Sequence, residues 1–148
     1  MNIVTTLAQY DNNSVYFSEP IKNNIMNDGN FIRIIYSTPS FILNGIYISI
    51  NINHITIEKY YNKLKCSFDI HIYKDLIEQL YVIEDNIIKK INIKSKIPQY
   101  KIHDQLKNGH IKIFSENIDK NNNLFLLKIA GIWETDLFYG LTYKFIKL

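Results

Sequence analysis

LFLLKIAGIWETDLFYGLTYKFIKL, Leu124–Leu148, is the stretch that decides the fold. Two apolar, aromatic-rich runs flank a polar break at Glu134–Asp136. That is the pattern of an antiparallel strand pair. It carries the only tryptophan, Trp133, and sets Lys128 and Lys144 among aromatics. Alternation places Trp133 with Phe125, Leu127 and Ile129, and groups Tyr139, Leu141, Tyr143 and Phe145. Leu124, Leu126, Ala130 and Ile132 line the other side, so both faces are apolar. Such strands are either central in a sandwich or bury one face against another subunit. Trp133 is a core or interface residue in preference to a stacking platform. Trp133, Tyr139 and Tyr143 are the candidate self-association residues, and a homo-oligomer is expected.

Upstream of this hairpin the alternation recurs. Phe31–Ser37 reads as a strand closed by Thr38-Pro39. Phe41–Leu43 and Ile46–Ile52 follow, with Asn44-Gly45 between them as a favoured two-residue hairpin turn. Residues 63–73 set Leu64, Cys66, Phe68, Ile70 and Ile72 against Lys63, Lys65, Ser67, Asp69, His71 and Tyr73. This period of two predicts half-buried strands with one solvated face. The period then changes. Leu76, Leu80, Ile83, Ile87 and Ile91 fall three or four apart, which predicts an amphipathic helix over Lys74–Ile91. Asp75 and Glu78 have the spacing of a capping box, and Lys89 and Lys90 suit the last turn. Residues 92–108 read as a polar connection with an extended piece at Gln99–Ile102, Gly109–Ser115 as a strand and Asn117–Asn123 as a loop. Turn chemistry dominates residues 1–30, apart from a short strand at Val15–Phe17, and predicts an N-terminal arm.

The expected fold is mainly β (α+β), with residues 31–148 forming a single β-rich domain. It is an antiparallel OB-like barrel or sandwich with one amphipathic helix after the third strand. A jelly roll is a third option, though eight strands are hard to place.

Composition narrows the function without naming it. The chain has 148 residues, 47% of them hydrophobic and 21% charged, which is ordinary for a folded domain. Isoleucine, asparagine, lysine and tyrosine dominate, as AT-rich coding would produce on its own. The formal net charge of +3 permits contact with phosphates without demanding it. A single cysteine, Cys66, excludes a disulfide framework and a Cys-rich zinc site, and fits a reducing intracellular setting. The N-terminus does not read as a secretory signal, and no apolar run is long enough to span a bilayer. The expected location is the cytosol, the nucleus or a particle in which the protein is packaged.

The solvated strand faces gather Arg33, Tyr47, Lys63, Lys65, Tyr73, Lys112, Phe114 and Lys128. Cations that track phosphates and rings that stack bases are what a single strand of DNA or RNA requires. A solvated sheet face in a lysine-rich, tyrosine-rich chain is the competing account. His54, His71, His103 and His110 show no metal-ligand spacing. There is no nucleophile motif, and the five glycines are dispersed rather than gathered in a phosphate loop. Glu134 and Asp136 read as a solvated turn. No catalytic residue, metal or cofactor is expected, and the protein reads as a non-enzyme.

GIWETDLFYGLTYKF (Gly131–Phe145), NFIRIIYS (Asn30–Ser37) and LKNGHIKIF (Leu106–Phe114) resemble small proteins of large AT-rich DNA viruses. The strand order and the basic-aromatic face are similar to OB-fold single-stranded DNA-binding proteins of phages and giant viruses. That resemblance implies a non-enzymatic binder of single-stranded nucleic acid. One departure concerns the acidic tail with which such binders contact replication partners. Here the last residues are Lys144-Phe145-Ile146-Lys147-Leu148. The alternative expectation is a structural or assembly protein of the virion, self-associating through the C-terminal hairpin.

Overall fold

The structure, a computed structural model, describes residues 4–22, 29–114 and 123–147, without the side chains of Lys22 and Phe114. Its strands are β1 (Val15–Phe17), β2 (Ile21–Lys22), β3 (Asn30–Ser37), β4 (Ile42–Asn44), β5 (Ile46–Asn51), β6 (Thr56–Tyr60) and β7 (Lys63–Ser67). Helix α1 (Lys74–Ile91) follows, then β8 (Ile97–Gln99), helix α2 (Lys101–Lys107), β9 (His110–Phe114), β10 (Leu124–Glu134) and β11 (Phe138–Lys147).

The protein is mainly β, with two helices, and its strands make an open mixed sheet of eight and a second sheet of three. The large sheet runs β1-β3-β10-β11-β8, with β2 and β4 added to β3 and β5 added to β10. The eight-stranded sheet does not close, so the expected OB-like barrel is not what this chain forms. The C-terminal hairpin is present and central. β10 pairs with β11 along its length on one side. On the other it pairs first with β5, from Leu124 to Ile129, and then with β3, from Gly131 to Glu134.

Gly45 makes that change of partner possible. β4 lies against β3 and β5 lies against β10, so Asn44-Gly45 is a bend in a continuing chain and not the two-residue hairpin turn expected. Gly45 has φ +98, open to glycine and strained for other residues. Its amide donates to the carbonyl of Ile34, and a Cβ there would lie 3.0 Å from the carbonyl oxygen of Ile129.

β10 carries a bulge of its own. Its register with β11 shifts between Ile129 and Gly131. An extra residue in one strand inverts the alternation beyond it. Ile129 and Ile132 are therefore both in the core, while Trp133 turns to the opposite face and is only half-buried. This corrects the grouping of Trp133 with Phe125, Leu127 and Ile129.

Three further expectations give way. The strand at 63–73 stops at Ser67, because the Asp69 side chain accepts from the amide of His71 and turns the chain into α1. The capping box does not form: the N-cap of α1 is Tyr73, with no side-chain cap bond. The polar connection at 92–108 contains α2, held by buried Ile102 and Leu106 one turn apart. The Asn117–Asn123 loop lies outside the described residues except for Asn123. So do the turns expected at Asn23–Asn24 and at Asn27–Gly29, Gly29 apart.

The start of the chain is packed rather than armlike. Thr5 bridges Ile48, Val15 is fully buried, and the amide of Asp11 donates to the Tyr36 hydroxyl, whose ring stacks on Tyr10. One apolar cluster joins Val15, β3, β5, β7, α1, α2, β9 and the final hairpin. The helix at Lys74–Ile91 lies where its period places it, with Ile77, Leu80, Ile83, Ile87 and Ile88 facing that cluster.

Candidate functional site

The small sheet, ordered β6-β7-β9, has one face in the core through Leu64, Cys66, Ile111 and Ile113. Alternation sends Lys63, Lys65, Ser67, His110 and Lys112 outward. Register then decides their spacing. Tyr60 lies opposite Lys63, Glu58 opposite Lys65, and Lys65 opposite Lys112. Like charges directly across an antiparallel pair are destabilising. The sheet therefore concentrates positive charge where its own stability would disfavour it. Only one carboxylate stands in this row: Glu58 accepts a 2.8 Å hydrogen bond from the Tyr60 hydroxyl. That bond, followed by the Glu58 charge, raises the Tyr60 pKa.

Two hollows open on this side. Tyr60, Lys63, Leu64, Lys65, His110 and Lys112 line the first, of about 360 Å³. The second, about 430 Å³, is bounded by α2 and β11 as well as β9, through Lys101, Gln105, Tyr143 and the shared His110 and Lys112. Asp104 lies at this second hollow, where Lys107 pairs with it at 3.1 Å. Lys101 has a second contact, its Nζ standing 4.8 Å from the centre of the Trp133 ring.

α2 forms the wall of the second hollow, and a buried carboxylate fixes it in place. Glu84 of α1 is 0% exposed. Its two oxygens each accept a 3.0 Å hydrogen bond, from the amides of Ile102 and His103. These are first-turn amides that α2's own N-cap, Tyr100, leaves without a side-chain partner. Burial pushes the Glu84 pKa up to about 7, against the pull of the two amides and with help from Asp104 and Asp85. Beside it the Tyr100 hydroxyl donates to Asp85 at 2.7 Å, and the Tyr143 hydroxyl donates to Gln105 at 2.6 Å. Burial, then Glu84 and Asp104, push the Tyr143 pKa up to about 12.

The eight expected nucleic-acid residues separate into groups. Lys63, Lys65 and Lys112 come together at the first hollow. Arg33, Tyr47 and Lys128 lie on the large sheet instead. There Lys128 faces Lys144 across the hairpin, a second like-charged pair, and its Nζ lies 5.5 Å from the Tyr47 ring centre. Arg33 is exposed opposite Gly131. Tyr73 belongs to neither group. Its hydroxyl accepts from the amides of Asn53 and His54 and its ring meets Phe68 edge-on, so it holds the chain at the start of α1 rather than presenting a ring to a base. Phe114 follows Lys112 on β9, opposite Lys63, and its side chain lies outside the described residues.

The three residues expected at a self-association surface are engaged within the chain. Tyr139 is 5% exposed, Tyr143 is tied to α2, and Trp133 lies beneath Lys101. The exposed apolar residues at that end are instead Ile97, Leu137 and Phe138. Glu134 is not a solvated turn residue. It ends β10 buried, accepting from Asn30 at 3.0 Å and pairing with Lys96 at 3.1 Å. Burial opposes its charge, yet Asn30 and Lys96 together hold its pKa below the usual carboxylate value.

Sequence reading missed Tyr60, Lys101 and Gln105. The signals were the two-residue gap between Tyr60 and Lys63, and the i, i+4 pair Ile102 and Leu106. Among the described residues, no three His, Cys, Asp or Glu side chains gather as metal ligands, and no helix is long and apolar enough to cross a membrane. The chain matches no protein-family model, no curated protein and no solved structure.

Proposed function

We propose that the protein binds single-stranded nucleic acid across the open face of the small sheet, without catalysing a reaction on it. Lys63, Lys65, Lys112 and Lys101 meet successive phosphates. Tyr60 offers its ring to an unpaired base. The observation that carries this reading is the opposition of Lys65 and Lys112 in register, at the wall between two hollows. Repulsion within such a pair is relieved when the phosphates of a bound strand lie beside it. An unpaired base offers such a site a π-face on which its aromatic rings can stack. The second like-charged pair, Lys128 and Lys144, together with Arg33, gives a longer strand further contacts. The setting of a large DNA virus belongs to the same proposal, and rests on the sequence resemblance alone.

The test is a fluorescence anisotropy titration of a labelled oligonucleotide at low salt. Wild-type protein binds. The double reversal Lys65→Glu with Lys112→Glu, checked for folding by circular dichroism, loses most of that binding. Equal binding by the reversed and wild-type proteins would remove the proposal. The alternative, an assembly protein, draws its support from Ile97, Leu137 and Phe138 exposed together at the hairpin end. It predicts a mass above that of one chain in light scattering.

A further inference from the structure

The hairpin joining β6 to β7 turns through Tyr61 and Asn62. Tyr61 is 98% exposed, while Tyr60 beside it is 50% exposed. Among the described residues the Tyr61 ring has no hydrogen-bond or ring partner. Its backbone is also unusual, with φ +51. A bulky residue in that region is strained, and two-residue hairpins with positive φ at the first central position favour glycine there. The sequence thus keeps a large ring at a place where it neither packs nor suits the backbone. Strain of this kind, held at an exposed position, points to function. The ring's position supplies the rest. The turn follows Tyr60 and precedes Lys63, both of which line the first hollow.

We propose that Tyr61 is a base-stacking residue, closing on an unpaired base at the end of the strand held in the first hollow. This inference rests on the binding reading above and deepens it. Tyr60 is the anchored member of the pair, its hydroxyl held by Glu58. Tyr61 is the free one, able to lie on a base as the strand leaves the lysines. The ligand is a polyanion with exposed π-faces. A duplex, whose bases are stacked on each other, offers the tip nothing.

The experiment compares wild type, Tyr61→Gly and Tyr61→Phe, by thermal melting and by anisotropy with a labelled single-stranded oligonucleotide at low salt. Tyr61→Gly is expected to melt at the wild-type temperature or above it, because glycine suits the turn, and to bind roughly 5- to 100-fold more weakly. Tyr61→Phe keeps the ring and binds as wild type does. If Tyr61→Gly binds as well as wild type, the inference fails while the lysine site stands. If Tyr61→Phe is as weak as Tyr61→Gly, a hydroxyl contact is responsible and stacking is refuted. If wild type binds nothing and the Lys65/Lys112 reversal changes nothing, both readings fall together.

Discussion

Single residues set several of the constraints in this fold, and Glu84 is the sharpest. It is a carboxylate without solvent, placed to receive two amides. Its ordinary pKa of 4.5 rises to about 7 in the folded protein. The folded state therefore holds the Glu84 proton more tightly than the unfolded chain does. Its stabilising contribution is complete below about pH 4.5 and is lost as pH rises through 7. A shift of this size corresponds to on the order of 3 kcal/mol. Urea unfolding at pH 5 and pH 8 is expected to show lower stability at pH 8, and Glu84→Gln is expected to flatten that difference. An unchanged slope in the variant would assign the pH dependence elsewhere. Gly131 is equally constrained. A Cβ there would press on the carbonyl oxygen of Ile32 and the ring of Phe31. Gly131→Ala is expected to destabilise by about 1–3 kcal/mol in denaturant titration.

Among the elements, α2 links stability to the site. It spans only Lys101–Lys107, too short to persist alone, and depends on Ile102, Leu106 and the Glu84 cap. Leu106→Ala is expected to cost about 2–5 kcal/mol and to weaken oligonucleotide binding by freeing Lys101. Loss of stability with binding intact would separate α2 from the site. Legibility in the sequence follows the same elements. α1 was readable because five apolar residues keep one period over eighteen positions. The final hairpin was readable because both strands are long and apolar. β6 was not, since only Ile57 of its five residues turns inward and the rest are exposed. α2 was hidden by its length and by Pro98 close before it. The face of Trp133 was misread because a bulge leaves no mark in composition, and period-two reasoning continues blindly through it.

Over the whole molecule, the partner of each strand is what sequence could not supply. β10 takes β5 and then β3 on one edge, whereas the sequence pattern set β5 against the Phe41–Leu43 strand. The large sheet is open where a barrel was expected. The basic residues are divided between the two sheets. Lys63, Lys65 and Lys112 gather on the small sheet, while Arg33, Tyr47 and Lys128 lie on the large one. Alternation correctly marked these lysines as outward. It had no means of setting Lys65 opposite Lys112, because that pairing spans residues distant in the chain.

The most direct test of that arrangement is the salt dependence of oligonucleotide binding. Each phosphate met on a single strand contributes about −0.7 to the slope of log K against log salt. Contacts by Lys63, Lys65, Lys101 and Lys112 predict a slope of about −3, falling by roughly 0.7 for each lysine replaced by alanine. Absence of binding at low salt, or a slope near zero that these replacements leave unchanged, would contradict a nucleic-acid site on this sheet.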